Sequence, residues 1–414
     1  MNIDIPKGIR VFSPKESSLI SNIENTITKT FESWGYQEIK LPYFEYFDVH
    51  KKGVGKNIAN KTFRIIDRYK GEILSLRADF TAQIARYFSS LKHKQIPYRV
   101  YYQGTIFRYE IPKGEKFWEK RQSGIELIGL NSLQADIEVL SIAIEALKNL
   151  GIKNFQIDLS CVSILYALKE ILNLNNEEFG SLVNFVKNKE IFNLEKFVLE
   201  KNIKKDLGEF ISNIPLYQGK IELIKKLKEK VKNYKKLLEA LNYLEELYSK
   251  IENFGFSNYI TFDLGEVRQF EYYTGIIFEI FIPNHKKPIG QGGRYDKLIG
   301  KFNGEFPAIG FAFDTIAIFE YLKNINILTK DENYFAINKG VDENIFFKII
   351  NKLRKQGKKV TLELIDRSLN SSLDYAFSNN FDKVLVFRVD NGKSSVYIYT
   401  RKDNFIVKNI KDLI

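Results

Sequence analysis

Residues 271–296, EYYTGIIFEIFIPNHKKPIGQGGRYD, decide how this chain is read. Two segments of it, YYTGIIFEIFI and KPIGQGGRYD, show the β-branched and aromatic runs, bounded by turn formers, that mark strands. Gly292 and Gly293 let the backbone come close to a ligand beside Arg294 and Tyr295. Just upstream, EVRQFEYYTG brings Arg268 near Tyr272 and Tyr273. A sheet with polar groups gathered on its strands is the first expectation.

The neighbouring segments extend that sheet. AIGFAFDTIAIFEYL predicts an apolar helix over 308–322, and NYITFDL a further strand. Residues 165–255 are rich in Lys and Glu with few Gly or Pro, and read as a helical insertion outside the sheet. Toward the N-terminus, Leu19, Ile20, Ile23, Ile27, Phe31 and Trp34 recur at helical spacing over 15–35. QEIKLPYFEYF is a short extended stretch broken by Pro42, and FRIID with EILSLR forms a hairpin. The helix TAQIARYFSSL, the strands YRVYYQGTIFRYE and SGIELIGL, and a helix closed by Gly151 follow. A boundary at Asn324–Glu332 leads into a tail of alternating strands and helices. The expected class is α+β: a helix-flanked antiparallel sheet over 1–325, its insertion at about 165–255, and a small α/β domain at 331–414.

Polar residues sit where strand-like segments would otherwise alternate simply. LRADFT puts Arg77, Asp79 and Thr81 on one face if the segment is extended. Arg108 and Glu110 share a face in FRYE, as do Gln122, Gly124 and Glu126 in QSGIE. Taken singly, each is a solvated strand face. Together with Arg268, Tyr272, Tyr273 and Tyr295 they fit a pocket for a small zwitterion, with carboxylates for its N–H groups and an arginine for its carboxylate.

Composition narrows the function classes. The 414 residues carry 63 basic against 51 acidic groups, a net charge of +12, but the 49 lysines are mixed with Glu in helical stretches, as on a solvated face. Seven of the fourteen arginines fall between Arg64 and Arg121, which points to a site in that stretch. A single cysteine, Cys161, rules out an internal disulfide, and it and three scattered histidines, His50, His93 and His285, give no zinc spacing. No apolar run approaches the ~20 residues of a membrane span, and the first residues lack a signal-peptide core, so a cytoplasmic protein without metal or cofactor is expected.

PKGIRVFSP, LRADFT, the fifteen residues from Arg108 to Gln122, ELIG, EYYTGIIFE, GGRYDKL and PAIGFAF resemble the catalytic core of histidyl-tRNA synthetase, in that family's order across residues 6–320. The resemblance implies a class II aminoacyl-tRNA synthetase fold, and the pair YYTG…GGRYD belongs to the histidyl branch and its paralogues. One paralogue is the regulatory subunit of short-form ATP phosphoribosyltransferase. The resemblance further implies a histidine pocket, with Asp79 and Thr81 at the α-ammonium and Arg108 and Gln122 near the carboxylate. Glu126 and Tyr273 would address the imidazole, with Arg268, Tyr272 and Tyr295 closing the site.

The ATP half departs from the synthetase pattern. Where that pattern has Gly-x-Glu-Arg, this chain has Asp314-Thr315-Ile316-Ala317, so an acid and a methyl group replace the glycine and the phosphate-binding arginine. An anion facing a triphosphate is unfavourable. The adenine-stacking aromatic falls at Lys120, and the usual Gly-Arg of the preceding loop is Glu115-Lys116. The expectation is a non-catalytic regulatory subunit that binds L-histidine, forms a homodimer through Pro42 and the 15–35 helix, and joins the phosphoribosyltransferase catalytic subunit in a hetero-oligomer. An active synthetase with a divergent ATP site is the alternative, and a free-standing binder of amino acid or tRNA a third. The tail resembles an anticodon-binding domain, yet 15 basic against 11 acidic residues over 331–414 is a weak balance for tRNA.

Overall fold

Ser13 opens the first helix: its hydroxyl accepts from the Glu16 backbone N–H while the Glu16 carboxylate accepts from the Ser13 N–H, a closed capping box. The computed structural model describes residues 5–6, 8–110, 117–267, 272–325, 332–390, 392–402 and 404–410, apart from the side chains of Val54, Lys56 and Asn57. The chain divides into two units, Met1–Ile327 and Leu328–Ile414.

The first unit runs through α1 (Pro14–Ser33), β1 (Gln37–Glu38), β2 (Phe44–Tyr46), α2 (Phe47–Ala59), β3 (Arg64–Ile66), β4 (Ile73–Leu76), α3 (Thr81–Ser90), β5 (Tyr98–Phe107), β6 (Glu119–Ile128) and α4 (Leu133–Asn149). It continues with β7 (Gln156–Cys161), α5 (Ser163–Ile171), α6 (Asn176–Lys187), α7 (Ile191–Glu200), α8 (Lys205–Ser212), β8 (Gln218–Gly219), α9 (Ile221–Lys230) and α10 (Lys235–Asn253). Then come β9 (Ile260–Asp263), β10 (Ile276–Phe281), β11 (Gly290–Arg294), β12 (Ala308–Asp314) and α11 (Thr315–Ile325).

Nine strands form one sheet in the order β1-β5-β6-β12-β11-β10-β7-β9-β8. Its centre is antiparallel, and parallel pairs occur only near the edges, at β1·β5 and β7·β9. A separate three-stranded sheet, β2-β4-β3, contains the expected hairpin.

Three sequence expectations need correction. Residues 308–314 are a central strand, and the helix starts only at Thr315. An apolar run buried on both faces has no periodicity to separate strand from helix, and the start signal is Asp314, whose Oδ1 accepts from the N–H groups of Ile316 and Ala317 at 3.1 Å each. The 165–255 insertion is not purely helical, because β8 within it pairs with β9 and so joins the sheet edge. LRADFT is not extended throughout: β4 ends at Leu76 and α3 begins at Thr81, so Arg77 is turned away from Asp79 and Thr81.

The insertion is tied to the sheet by a buried polar knot. Asp136 on α4 takes Arg294 Nε at 3.0 Å on one oxygen and the Tyr243 hydroxyl of α10 on the other. Arg294 also donates to the carbonyls of Leu130 and Ser132, and its side chain is 5% exposed. A pair this deeply buried tolerates loss of either partner poorly.

The second unit comprises β13 (Asn333–Lys339), α12 (Glu343–Lys355), β14 (Lys359–Leu362), α13 (Leu369–Ser378), β15 (Lys383–Asp390), β16 (Lys393–Arg401) and β17 (Asn404–Asn409), with sheet order β14-β13-β15-β16-β17. Phe346, Ile349 and Ile350 of α12 pack on one face of β13 and β15, and Leu373 and Ala376 of α13 on the other.

Candidate functional site

β6 sends Gln122 and Glu126 to the same face, because residues four apart on a strand point alike. Its neighbour β12 passes that face with a glycine: a Cβ on Gly310 would stand 1.8 Å from Glu126 Oε2 and 2.4 Å from the Ile125 carbonyl. Only glycine leaves room for the carboxyl. The first turn of α3 supplies Thr81, whose Oγ1 donates to Glu126 Oε1 at 2.6 Å, and Tyr295, just past β11, donates its hydroxyl to Glu126 Oε2.

These groups line a pocket whose empty space, open solvent included, is ≈ 370 Å³. Of the residues expected from the sequence, Asp79, Thr81, Gln122, Glu126, Tyr272, Tyr273 and Tyr295 line it. Arg108 stands behind this lining and Arg268 lies outside the described residues. Sequence reasoning missed Tyr102, Gln291 and the backbone at Gly310–Ala312, while Gly292, read as a close-approach glycine, is in the lining. Tyr102 stacks on Phe80 at 4.3 Å and was readable only as a strand aromatic. Gly310 carried a usable signal, a lone glycine inside an apolar run, which in a strand marks close approach.

The electrostatics are those of a desolvated acidic pocket. Burial pushes the Glu126 carboxyl up to about 8, against the pull of its hydrogen bonds to Thr81 and Tyr295, and nearby Asp79 adds to the rise. Burial likewise raises Asp79, opposed by the Arg108 charge. The same desolvation holds the hydroxyls of Tyr102, Tyr272 and Tyr295 far above their ordinary value. Among the described residues the lining carries two carboxyls and no cation. A ligand that brings N–H groups or a positive charge relieves that cost, since an opposite charge favours the ionised form.

Arg108 provides the other polarity. Its Nε donates to the Ala78 carbonyl at 2.9 Å, and its Nη2 pairs with Asp79 Oδ2 at 3.6 Å. That Nη2 is buried and has no hydrogen-bond partner among the described residues. A small anionic group could fill that gap. Four of the six other clustered arginines serve the scaffold, contrary to the expectation from their spacing. Arg77 Nε donates to the Thr105 carbonyl at 2.6 Å, Arg86 and Arg99 pair with Glu45 and Glu138 at 2.8 Å, and Arg121 pairs with Glu24 at 2.6 Å. Arg294, read beside the pocket, turns away to Asp136.

At the other end of β6, Lys120 is pushed down by burial and by the Arg108 charge, while Asp314 and Glu110 oppose the shift. Asp314 itself caps α11. The described residues contain no cluster of three His, Cys, Asp or Glu fit for a metal, and no helix among them is long and apolar enough to cross a membrane.

Comparison with known proteins accounts for this arrangement. The histidyl-tRNA synthetase family model matches residues 8–318. A protein named ATP phosphoribosyltransferase regulatory subunit, from Thermoanaerobacter pseudethanolicus, is 36% identical over 390 residues, 92% of this chain and 99% of its own length. A histidine–tRNA ligase from Methanocaldococcus jannaschii is 35% identical over 399 residues, 94% of each chain. A crystal structure titled as an ATP phosphoribosyltransferase regulatory subunit/histidyl-tRNA synthetase, from Bacillus halodurans, superposes with a TM-score of 0.78 at 28% identity, covering 93% of this chain and 98% of that one. The Nostoc histidyl-tRNA synthetase reaches 0.84 at 22% identity, covering 100% and 99%, a likeness of fold. The chain belongs to the histidyl-tRNA synthetase family, which holds both histidine–tRNA ligases and ATP phosphoribosyltransferase regulatory subunits.

Proposed function

We propose that this chain is a non-catalytic regulatory subunit of ATP phosphoribosyltransferase, a glycosyltransferase complex, and that it senses L-histidine in the Glu126 cavity. The observation that carries the reading is a contrast within one strand. β6 presents an acceptor set for an amino acid at Gln122 and Glu126, yet the residue paired with Gln122 on the neighbouring strand is Asp314, an acid where a triphosphate would need positive charge. Ala317 offers no guanidinium to the nucleotide. In this reading Asp79 and Thr81 take the α-ammonium, Arg108 and Gln122 the carboxylate, and Glu126 and Tyr273 the imidazole, with Arg268, Tyr272 and Tyr295 closing the site.

The partner is the catalytic subunit of a short-form phosphoribosyltransferase, in the cytoplasm. A homodimer within that complex is supported by exposed apolar side chains on the β2-β4-β3 sheet beside Pro42, among them Phe44, Tyr46, Ile65 and Ile66. The second unit serves as a subunit contact and not as a tRNA clamp, in keeping with its small positive excess.

The experiment is twofold: calorimetric titration with L-histidine, with and without the catalytic partner, and histidine-dependent ATP–pyrophosphate exchange. Binding without exchange is expected, and partner and histidine should change each other's affinity by the same factor. Robust exchange would favour the alternative, an active histidine–tRNA ligase, which the 35% identity to such an enzyme keeps in play. Binding in neither state would reject the sensor role.

A further inference from the structure

His50 lies on α2, fully buried, and neither of its ring nitrogens meets a hydrogen-bond partner among the described residues. Arg108 Nη2 is buried and open in the same way. Buried polar groups are ordinarily paired, so two open ones ask for an account. They are also within each other's field. Burial, and then the Arg108 charge, hold the His50 imidazole down at about 4, so that it is neutral at physiological pH. A neutral imidazole keeps one lone pair for accepting, whereas a guanidinium can only donate.

Packing sets α2 and the Arg108 guanidinium against neighbouring parts of one segment, Ala78–Ala82. Gly53, next along α2 from the His50 turn, lies so close to α3 that a Cβ there would stand 2.3 Å from Ala82 Cβ. Arg108 Nε is fixed on the carbonyl of Ala78, in the segment that leads into α3. His50 does not line the cavity, so any effect on a ligand passes through a neighbour.

We infer that His50 is a positioning residue for Arg108: a ring nitrogen accepts a hydrogen bond from the guanidinium when a ligand carboxylate draws Arg108 away from Asp79. The bond sets the angle at which the guanidinium fork meets the carboxylate. This rests on the histidine-pocket reading above. It assigns His50 to the carboxylate end alone, leaving imidazole and ammonium recognition to other residues.

The test compares L-histidine with L-histidinol, which keeps the imidazole and the ammonium but has a hydroxymethyl group in place of the carboxylate. In calorimetric titrations His50→Phe should weaken L-histidine about tenfold, the effect of losing one charge-assisted hydrogen bond, while L-histidinol changes less than twofold. His50→Gln, which restores an acceptor, should recover most of the loss. The unmodified chain provides an independent readout, because it has only three histidines to assign by nitrogen-15 NMR. Adding L-histidine should shift one His50 ring nitrogen toward the signature of a hydrogen-bonded acceptor, and L-histidinol should not. Equal weakening of both compounds by His50→Phe, or an unmoved His50 spectrum, would overturn the assignment. Failure of the unmodified protein to bind either compound would overturn the pocket reading, and with it this one.

Discussion

The two ends of β6 solve opposite problems with similar materials. At Glu126 the chain buries an acid, gives it two hydroxyl donors, and leaves space beside it. Toward Lys120 it half-buries a base within the field of Asp314, whose Oδ1 caps α11. The first end holds a protonated acid beside open space; the second holds an acid committed to a helix cap. A binding site keeps room beside its buried polar groups, whereas an acid committed to a helix cap is not free to serve a ligand.

Gly310→Ala attacks the open end most directly. The added Cβ must displace Glu126 or the β6 backbone, so L-histidine affinity should fall about 100-fold and stability by about 1–3 kcal/mol. Titration calorimetry and a thermal melt on one sample read both. Unaltered affinity would mean that Glu126 is not part of the ligand site.

Glu126 also makes stability depend on pH in a predictable direction. The folded carboxyl keeps its proton to about 8, whereas the unfolded chain releases it near 4.5. The folded state therefore binds more protons between those values, and stability falls as pH rises through them, by up to ~1.4 kcal/mol per pH unit. Glu126→Gln should flatten that slope. Denaturant midpoints at pH 5, 6, 7 and 8 for both proteins decide the matter, and parallel curves would refute the raised value.

The capped end should respond weakly. Asp314→Ala removes the α11 cap and costs about 1 kcal/mol in the thermal melt, without creating ATP affinity. Smallest of all, Ala317→Arg alone should leave pyrophosphate exchange at background, because Lys120 still stands where the adenine platform would be. Measurable exchange in that variant would erase the contrast between the two ends.

Much of this was legible in the sequence, and the exceptions share a cause. Seven cavity-lining residues were visible because polar groups interrupt strand patterns, and Gly151 marked the end of α4 with its φ of 77°. The strand at 308–314 was hidden, since an apolar segment buried on both faces shows neither a period of two nor one of 3.6. Arginine density misled for a related reason: composition counts guanidinium groups but does not say which carboxylate each will reach. Arg99 finds Glu138 and Arg121 finds Glu24 across 39 and 97 positions, separations that no local pattern encodes. His50 gave no signal, as a single histidine on a helix is ordinarily core.

The Asp136 knot has a consequence for how the insertion can be exchanged or lost. Its α10 anchor, Tyr243, shares one carboxylate with Arg294, and Arg294 is followed directly by Tyr295, the donor to Glu126. The appendage and the cavity wall thus hang from the same peg. Splicing in a different set of helices without a hydroxyl at that position would leave a buried carboxylate oxygen unmet, and the disturbance would be felt one residue from the ligand. The insertion is wired in as a built-in limb of the sheet, and a force on it arrives at Tyr295.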